Sequence, residues 1–250
     1  MKHILINLIL GWLGAVVINY LSDVLPRYRK LTTPTCDSCT GSVSWKYYFL
    51  LRPCEYCRVK SSSRNLIVII SIPLFSVLIA VFPQTNLGIL GGLIWLLYFG
   101  LVTVIDLEHR LILHPVSIAG AVLGLIFGTM SHGILNTLIG GGAGFGIMLA
   151  FYFFGELFVN ILSRKRGEEI DEVALGFGDV NLAGVIGLLL GWPGIIAGLF
   201  FAILIGGVVS GIFLLIKALK GEYKAFSALP YGPFLVLSAA VLLYISDLIN

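Results

Sequence analysis

Charged residues are scarce in this chain of 250 residues. Asp, Glu, Lys and Arg together make up only 12% of the sequence, 58% is hydrophobic, and the mean hydropathy is +1.00. Because a soluble domain carries about 25% charged residues, this composition excludes a water-soluble globular fold. The net charge of +3 gives no reason to expect nucleic-acid binding, and we expect no nucleic-acid partner.

The hydrophobic residues form long runs separated by short turn-forming or charged segments. About 20 apolar residues are enough for a helix to cross a bilayer. The runs predict helices over residues 4–22, 66–82, 87–105, 111–130, 134–161, 175–191, 194–216 and 231–248. The first run resembles a secretory signal, but no small-residue cleavage site follows it, so we expect it to be retained. The sequence therefore predicts an all-α polytopic membrane protein with about eight transmembrane helices.

Basic residues fall almost entirely on one side of these predicted helices. Of the sixteen Lys and Arg residues, all but Lys2 lie in four connections, residues 23–65, 106–110, 163–172 and 217–224. Basic connections are retained on the cytoplasmic side of a membrane. We therefore expect these four connections to be cytoplasmic and both termini to lie outside.

Cysteine is also scarce, and its four copies form two C-x-x-C pairs, Cys36 with Cys39 and Cys54 with Cys57. Four thiolates at this spacing suit one tetrahedral ion, and a closed all-thiolate shell is typical of structural zinc. Two disulfides, redox-active thiols or plain thiols are the alternatives. Since the segment is predicted to face the cytoplasm, where disulfides seldom persist, the spacing favours Zn²⁺.

The cysteine pairs divide the chain into three parts. We predict a first transmembrane helix over residues 1–22 and a small cytoplasmic zinc-binding loop domain over residues 23–65. A seven-helix membrane core is predicted over residues 66–250. A loop of this length is too short to bury an adequate core, so we expect the metal to hold it together.

Two aspartates lie at predicted cytoplasmic ends of membrane helices. Asp106 ends the third predicted span, and Asp179 follows Gly176 and Gly178 in a Gly-x-Gly-Asp sequence. A carboxylate at membrane depth costs about 3 kcal/mol, so both are candidates for function. The glycines leave room for an extended substrate to approach. The structural alternatives are a solvated helix end that pairs Asp106 with Arg110, and glycines that simply break a helix.

A pair of carboxylates suggests acid–base hydrolysis. When two carboxylates lie close together they cannot both ionise, so one keeps a proton while the other activates water. The motifs of other hydrolases are missing, since the sequence contains neither His-Glu-x-x-His nor Gly-x-Ser-x-Gly. We predict that Asp106 and Asp179 form a catalytic pair. A cation or proton-coupled transporter that uses the same aspartates, and a non-catalytic assembly scaffold, are the alternatives.

Two further features lie on the predicted helix at residues 134–161. The glycine-rich stretch 140–146 is typical of close helix packing in lipid. Glu156 lies about two turns inside Arg164, and we predict that it is buried against a cytoplasmic cation. A role in the functional site is the alternative for Glu156.

The order of these elements resembles the type IV prepilin leader peptidases of the Gly-x-Gly-Asp aspartyl class. The N-terminal helix runs into residues 19–26, and the double C-x-x-C loop and Asp106 follow. The Gly-Phe-Gly-Asp stretch at residues 176–179 and the Leu-Pro-Tyr-Gly-Pro stretch at residues 229–233 complete the series. The resemblance covers the whole chain.

This resemblance implies an endopeptidase of the bacterial inner membrane. Its substrates would be prepilins or pseudopilins of type IV pili or type II secretion, whose short basic leader is cut at the cytoplasmic face, typically after a glycine. The catalytic aspartates would be Asp106 and Asp179. Members with the cysteine loop often also methylate the new N-terminus with S-adenosylmethionine, so N-methyltransferase activity is implied as well.

A basic leader needs acidic groups on the enzyme. Glu168 and Glu169 lie shortly before Asp179, and we predict that they bind the leader together with Gly176 and Gly178, which bind its backbone. A solvated turn is the alternative interpretation of the two glutamates.

Overall fold

The computed structural model describes residues 2–36, 38–39, 41–83, 87–166, 175–220 and 230–249. Within these ranges the regular structure is helical, apart from one isolated antiparallel bridge between Thr35 and Ser42. The described helices are α1 (Lys2–Tyr28), α2 (Trp45–Leu50), α3 (Ser63–Val81), α4 (Gly88–His109), α5 (His114–Arg166), α6 (Phe177–Leu190), α7 (Gly194–Leu219) and α8 (Gly232–Ile249). The prediction of an all-α fold is confirmed.

Most of these helices have the length and composition of membrane spans. Among the described residues, α1, α3, α4, α5 and α7 are long and apolar enough to cross a bilayer, while α6 and α8 are shorter apolar helices. Many of their large hydrophobic side chains are exposed, for example Leu90 and Leu135 at about 70%. Because such faces are stable only in contact with lipid or other protein, the polytopic membrane class is confirmed.

The predicted helices at residues 111–130 and 134–161 form one continuous element, α5. The break that was predicted between them is present at Gly133, whose φ of 82° and ψ of 158° lie far from helical values. Glycine adopts this positive φ without the strain that a side chain would cause. With α5 counted as two segments, each of the eight predicted apolar runs corresponds to a described helical segment.

Two helices extend further towards their C-terminal ends than the sequence predicted. α1 continues to Tyr28 instead of ending at residue 22, and α4 continues to His109 instead of residue 105. At 1.5 Å per residue, the 27 residues of α1 span about 40 Å, which exceeds a hydrocarbon core of about 30 Å. The extra turns of α1 therefore reach beyond the hydrophobic layer, where polar side chains can meet.

Contacts divide the chain into two compact units, Met1–His109 and Arg110–Asn250. In the first unit, α1 packs against α3 and α4. Its core joins Ala15 and Ile18 of α1 with Val68 of α3, and partly buried side chains of α4 pack against them. α1 is thus an integral part of this core.

In the second unit, α5 and α6 pack through glycines. A Cβ atom added at Gly140 would lie 2.6 Å from the carbonyl carbon of Gly191 and closer still to the carbonyl oxygen of Gly187. One turn further along α5, a Cβ atom at Gly144 would clash with the carbonyl oxygen of Ala183. The prediction that the glycine-rich stretch serves close packing is confirmed at Gly140 and Gly144, where the two backbones touch.

Candidate active site and metal centre

The four cysteines of the first unit form one cluster. The Sγ atoms of Cys36, Cys39, Cys54 and Cys57 all lie within 4.8 Å of one another. Cys36 Sγ is 3.5 Å from Cys57 Sγ, and Cys39 Sγ is 3.7 Å from Cys54 Sγ. A disulfide would need about 2.05 Å, whereas four sulfurs at about 2.3 Å from a tetrahedral ion lie about 3.8 Å apart. The predicted cluster is confirmed, and its donor set fits a metal ion.

Tight turns bring each cysteine pair to the cluster. The Cys36 N–H donates to the Gly41 carbonyl at 2.9 Å, and the Arg58 N–H donates to the Cys54 carbonyl at 2.9 Å. Hydrogen bonds from the backbone N–H groups of Cys57 and Tyr56 lower the pKa of the Cys54 thiol to about 7. Since a metal binds the thiolate form, these backbone donors prepare Cys54 for ligation.

An ion network crosses the polar end of the first unit. The Arg64 guanidinium donates to Asp23 Oδ1 and to Glu108 Oε2, each at 2.7 Å, and only 13% of the Arg64 side chain is exposed. The Tyr48 hydroxyl donates to the other oxygen of Asp23 at 2.7 Å. This network joins α1, α2, α3 and α4, so it fixes the last turn of α4 against the cysteine loop. Sequence reasoning missed it, because no spacing pattern connects residues so far apart in the chain.

Disrupting this network is expected to destabilise the first unit. Arg64→Ala leaves two neighbouring carboxylates without their shared cation, and we expect it to lower the free energy of unfolding by about 2 kcal/mol. Glu108→Gln should cost less, since the pair with Asp23 remains. Thermal unfolding of both variants and of the double variant in detergent measures the coupling. Strictly additive losses would contradict a shared network.

Asp106 lies in the last described turns of α4. Its side chain is only 4% exposed, and buried Val102 and Ile105 precede it on the same helix. Burying a carboxylate is costly, so Asp106 stays a candidate for function.

Asp179 lies in the first turn of α6 in the second unit and is 8% exposed. Its backbone N–H donates to the Gly176 carbonyl at 3.0 Å, and its carboxylate accepts from the Gly176 N–H at 3.3 Å. The N-terminus of a helix favours negative charge, because unpaired N–H groups point towards it. The Gly-x-Gly-Asp sequence therefore caps α6 and holds the carboxylate at the start of the helix.

Both glycines of this sequence have a local structural reason. A Cβ atom at Gly178 would lie 2.8 Å from the Cβ of Ile112, and one at Gly176 would lie 3.3 Å from Oδ2 of Asp179. The two glycines thus allow Ile112 and the Asp179 carboxylate to approach the backbone. Their predicted role in binding substrate stays a prediction.

Tyr231, just before α8, is a polar neighbour of Asp179 in the stretch that the sequence suggested as a proline-broken entry to a helix. Burial, together with the negative charge of Asp179, raises the pKa of Tyr231 to about 12. The phenol therefore stays protonated at physiological pH and can act as a hydrogen-bond donor. A cavity of about 260 Å³ lies beside it, lined also by Gly206, Ser210 and Phe234 of α7 and α8.

Glu168 and Glu169 lie outside the described residues, so their role stays a prediction. Asp106 belongs to the first unit and Asp179 to the second. Their pairing likewise stays a prediction.

Comparison with known proteins identifies the class. Residues 90–211 match the type IV leader peptidase family. Over 212 residues the chain is 26% identical to the prepilin leader peptidase/N-methyltransferases of Aeromonas hydrophila and of Aeromonas salmonicida. This alignment covers 83% of this chain, 67% of the Aeromonas hydrophila protein and 66% of the Aeromonas salmonicida protein. Over 144 residues it is 27% identical to the protein of the same name from Legionella pneumophila, 57% of this chain and 45% of that relative. The chain thus spans about two thirds of the length of the Aeromonas relatives. No solved structure matches it.

The match over residues 90–211, just under half of the chain, and the apolar helices together indicate a membrane peptidase that resembles the type IV leader peptidases. The resemblance drawn from the sequence is confirmed, and so is the identification as an enzyme of the prepilin peptidase type.

Proposed function

We propose that this enzyme is an aspartyl endopeptidase that removes the short basic leader of prepilins or pseudopilins, with Asp106 and Asp179 as its catalytic pair. The observation that carries the proposal is the family match over residues 90–211, which includes both aspartates. Each of them is a buried carboxylate near the end of an apolar helix. The names of the relatives refer to prepilin leaders.

The chemistry follows from two carboxylates that share one proton. The ionised member takes a proton from water, and the hydroxide oxygen bonds to the scissile carbonyl carbon. The protonated member donates its hydrogen bond to the carbonyl oxygen as negative charge develops there. When the C–N bond breaks, the leaving amine takes a proton from the pair. The two pKa values belong to the pair, and neither aspartate alone is assigned the proton.

The topology we propose follows the basic residues. The connections at residues 23–65, 106–110, 163–172 and 217–224 face the cytoplasm, the termini lie outside, and the membrane is the bacterial inner membrane. The substrate is itself anchored by an apolar helix, so it enters from the lipid with its leader at the cytoplasmic face. Cleavage therefore takes place near the inner leaflet.

We also propose that the cysteine cluster holds Zn²⁺. Four thiolates would fill a tetrahedral shell and leave no position for water, so the ion would stabilise the loop and take no part in hydrolysis. Cys36, Cys39, Cys54 and Cys57 supply the ligands. The loop that they hold also contains α2, whose Tyr48 joins the ion network of Arg64.

Removing one thiolate is expected to release the metal. Purified wild-type protein should contain one zinc per chain, and Cys54→Ser should contain almost none, because structural zinc depends on its full ligand set. Elemental analysis measures the zinc, and limited proteolysis of the loop reports its loss of order. Tyr56→Phe, which changes a neighbouring residue that is not a ligand, is the control. Zinc-free wild-type protein would contradict the proposal.

Methylation of the new N-terminus is the second activity we propose. It rests on the relatives' names, which include an N-methyltransferase. The methyl donor would be S-adenosylmethionine. Labelled S-adenosylmethionine, added after leader cleavage, should transfer its label to the cleaved product and not to the uncut substrate.

Cleavage itself is tested with the purified enzyme in proteoliposomes. A pilin-like substrate with a basic leader should be cut at a single bond, and a substrate whose glycine before that bond is replaced should be cut much more slowly. Mass spectrometry of the product identifies the bond. If folded wild-type enzyme cuts none of several such substrates, the peptidase proposal is wrong. Ion-flux measurements on the same vesicles then test the transporter alternative.

A further inference from the structure

Glu156 is an acidic side chain on the apolar second segment of α5. It is exposed, and so are its neighbours Phe154, Leu157 and Phe158 at 67%, 56% and 61%. The prediction that Glu156 is buried is therefore wrong. The physical reason is that glycines pack α5 against α6 only up to about Gly144, and the following turns are more exposed.

Among the side chains that the structure describes, Glu156 forms no ion pair with a Lys, Arg or His. Its interaction is with Tyr152, one helical turn earlier. Arg164 is eight residues away, which is about 12 Å along a helix and beyond direct contact. An exposed carboxylate with no cationic partner among these side chains is available to a cation from outside the chain.

The packing of α5 on α6 relates Glu156 to Asp179. Gly140 meets Gly187 and Gly144 meets Ala183, so the two helices run antiparallel in a fixed register. If this pairing continues for one more turn, residue 148 of α5 lies at the same height along the helix pair as Asp179 of α6. Glu156 is then eight residues beyond that level, about 12 Å along α5 towards its C-terminal end.

Aromatic contacts support this register. The Phe177 ring, two residues before Asp179, packs edge-on against Phe145 at 6.4 Å and Tyr152 at 5.9 Å between ring centroids. Glu156 follows Tyr152 by one turn. Along α5 the exposed carboxylate therefore lies beyond the level at which α6 begins, on the side that leads away from Asp179 towards the basic connection.

We propose that Glu156 binds a basic side chain of the substrate leader, three or four residues before the scissile bond. An extended peptide covers about 3.4 Å per residue, so a separation of about 12 Å corresponds to that number of residues. The charges are complementary, because the leader is basic and Glu156 is acidic. This inference rests on the proposed leader peptidase activity and assigns a specificity role to a residue that the catalytic step does not use.

The experiment uses the full-length enzyme in proteoliposomes with two substrates. One has Lys at the third and fourth leader positions before the cut, and the other has Ala there. We expect Glu156→Gln to raise KM for the Lys substrate about 3-fold, the effect of losing one exposed ion pair, with little change in kcat. KM for the Ala substrate should stay unchanged. Glu156→Asp should keep most of the preference for Lys.

Reversing the charge at residue 156 and at the two leader positions of the substrate is the most specific control. Glu156→Lys should cut the Lys substrate poorly and regain activity on a substrate with Glu at these two positions. An equal rise in KM for the Lys and Ala substrates, or no rise for either, would overturn the assignment. If wild-type enzyme cuts no leader at all, the proposed function fails and this inference with it. If wild-type enzyme cuts the leader and Glu156→Gln keeps the full preference for the Lys substrate, only the inference is refuted.

Discussion

Asp179→Asn is expected to reduce leader cleavage by at least about 1,000-fold while the protein stays folded. An amide cannot take a proton from water or give one to the scissile carbonyl, and a positioned acid–base group contributes about 10²–10⁴ in rate. The amide oxygen of Asn can still accept the Gly176 N–H, so the start of α6 is preserved. Asp106→Asn should have a loss of similar size. Single-turnover cleavage in proteoliposomes measures both.

Asp179→Ala separates the catalytic role of this carboxylate from its capping role. The alanine loses the hydrogen bond to Gly176 as well as the acid, so we expect it to be less stable than Asp179→Asn by about 1 kcal/mol. Both variants should be equally inactive. A folded Asp106→Asn or Asp179→Asn variant that cuts at the wild-type rate would disprove the catalytic pair. The scaffold alternative would then be the better interpretation.

Gly140→Ala is expected to produce a large loss of stability in the second unit. Its Cβ atom would press against backbone atoms of Gly187 and Gly191, which cannot rotate away as a side chain would. α5 and α6 would have to separate, at a cost of about 3 kcal/mol. Because α6 begins with Asp179, cleavage should fall as well. Thermal unfolding in detergent and the leader-cleavage assay measure the two effects.

Gly142→Ala is the matched control on the same helix. A Cβ atom there meets no atom within 4 Å, and the same is true at Gly146. Both control variants should therefore be at least as stable as the wild type, since alanine favours a helix over glycine. Equal losses at Gly140 and Gly142 would show that glycine content, and not contact with α6, sets the stability of this helix pair.

Local patterns made much of this fold predictable. The apolar runs defined the membrane helices, because a run of about 20 apolar residues has few other stable environments. The two C-x-x-C pairs predicted one cluster of sulfur atoms, since that spacing brings four thiolates within reach of one ion. Gly133 was expected at a turn and lies at the break in α5.

Other features had no local pattern to reveal them. The ion network depends on Asp23, Tyr48, Arg64 and Glu108, which come from four helices and meet only through tertiary packing. The exposure of Glu156 was predicted wrongly, because helical spacing tells which residues share a face but not where a neighbouring helix ends. The Phe177 contacts with α5 are likewise a product of packing.

The sequence by itself determined the membrane class, the helical segments, the cysteine cluster and the family. These depend on apolar length, residue spacing and motif order, all of which can be read along the chain. Only the tertiary structure decided which glycines touch another backbone, which charges pair with Arg64 and which acid is left facing outward. Those outcomes depend on the register between helices, and contacts between residues distant in the chain set that register.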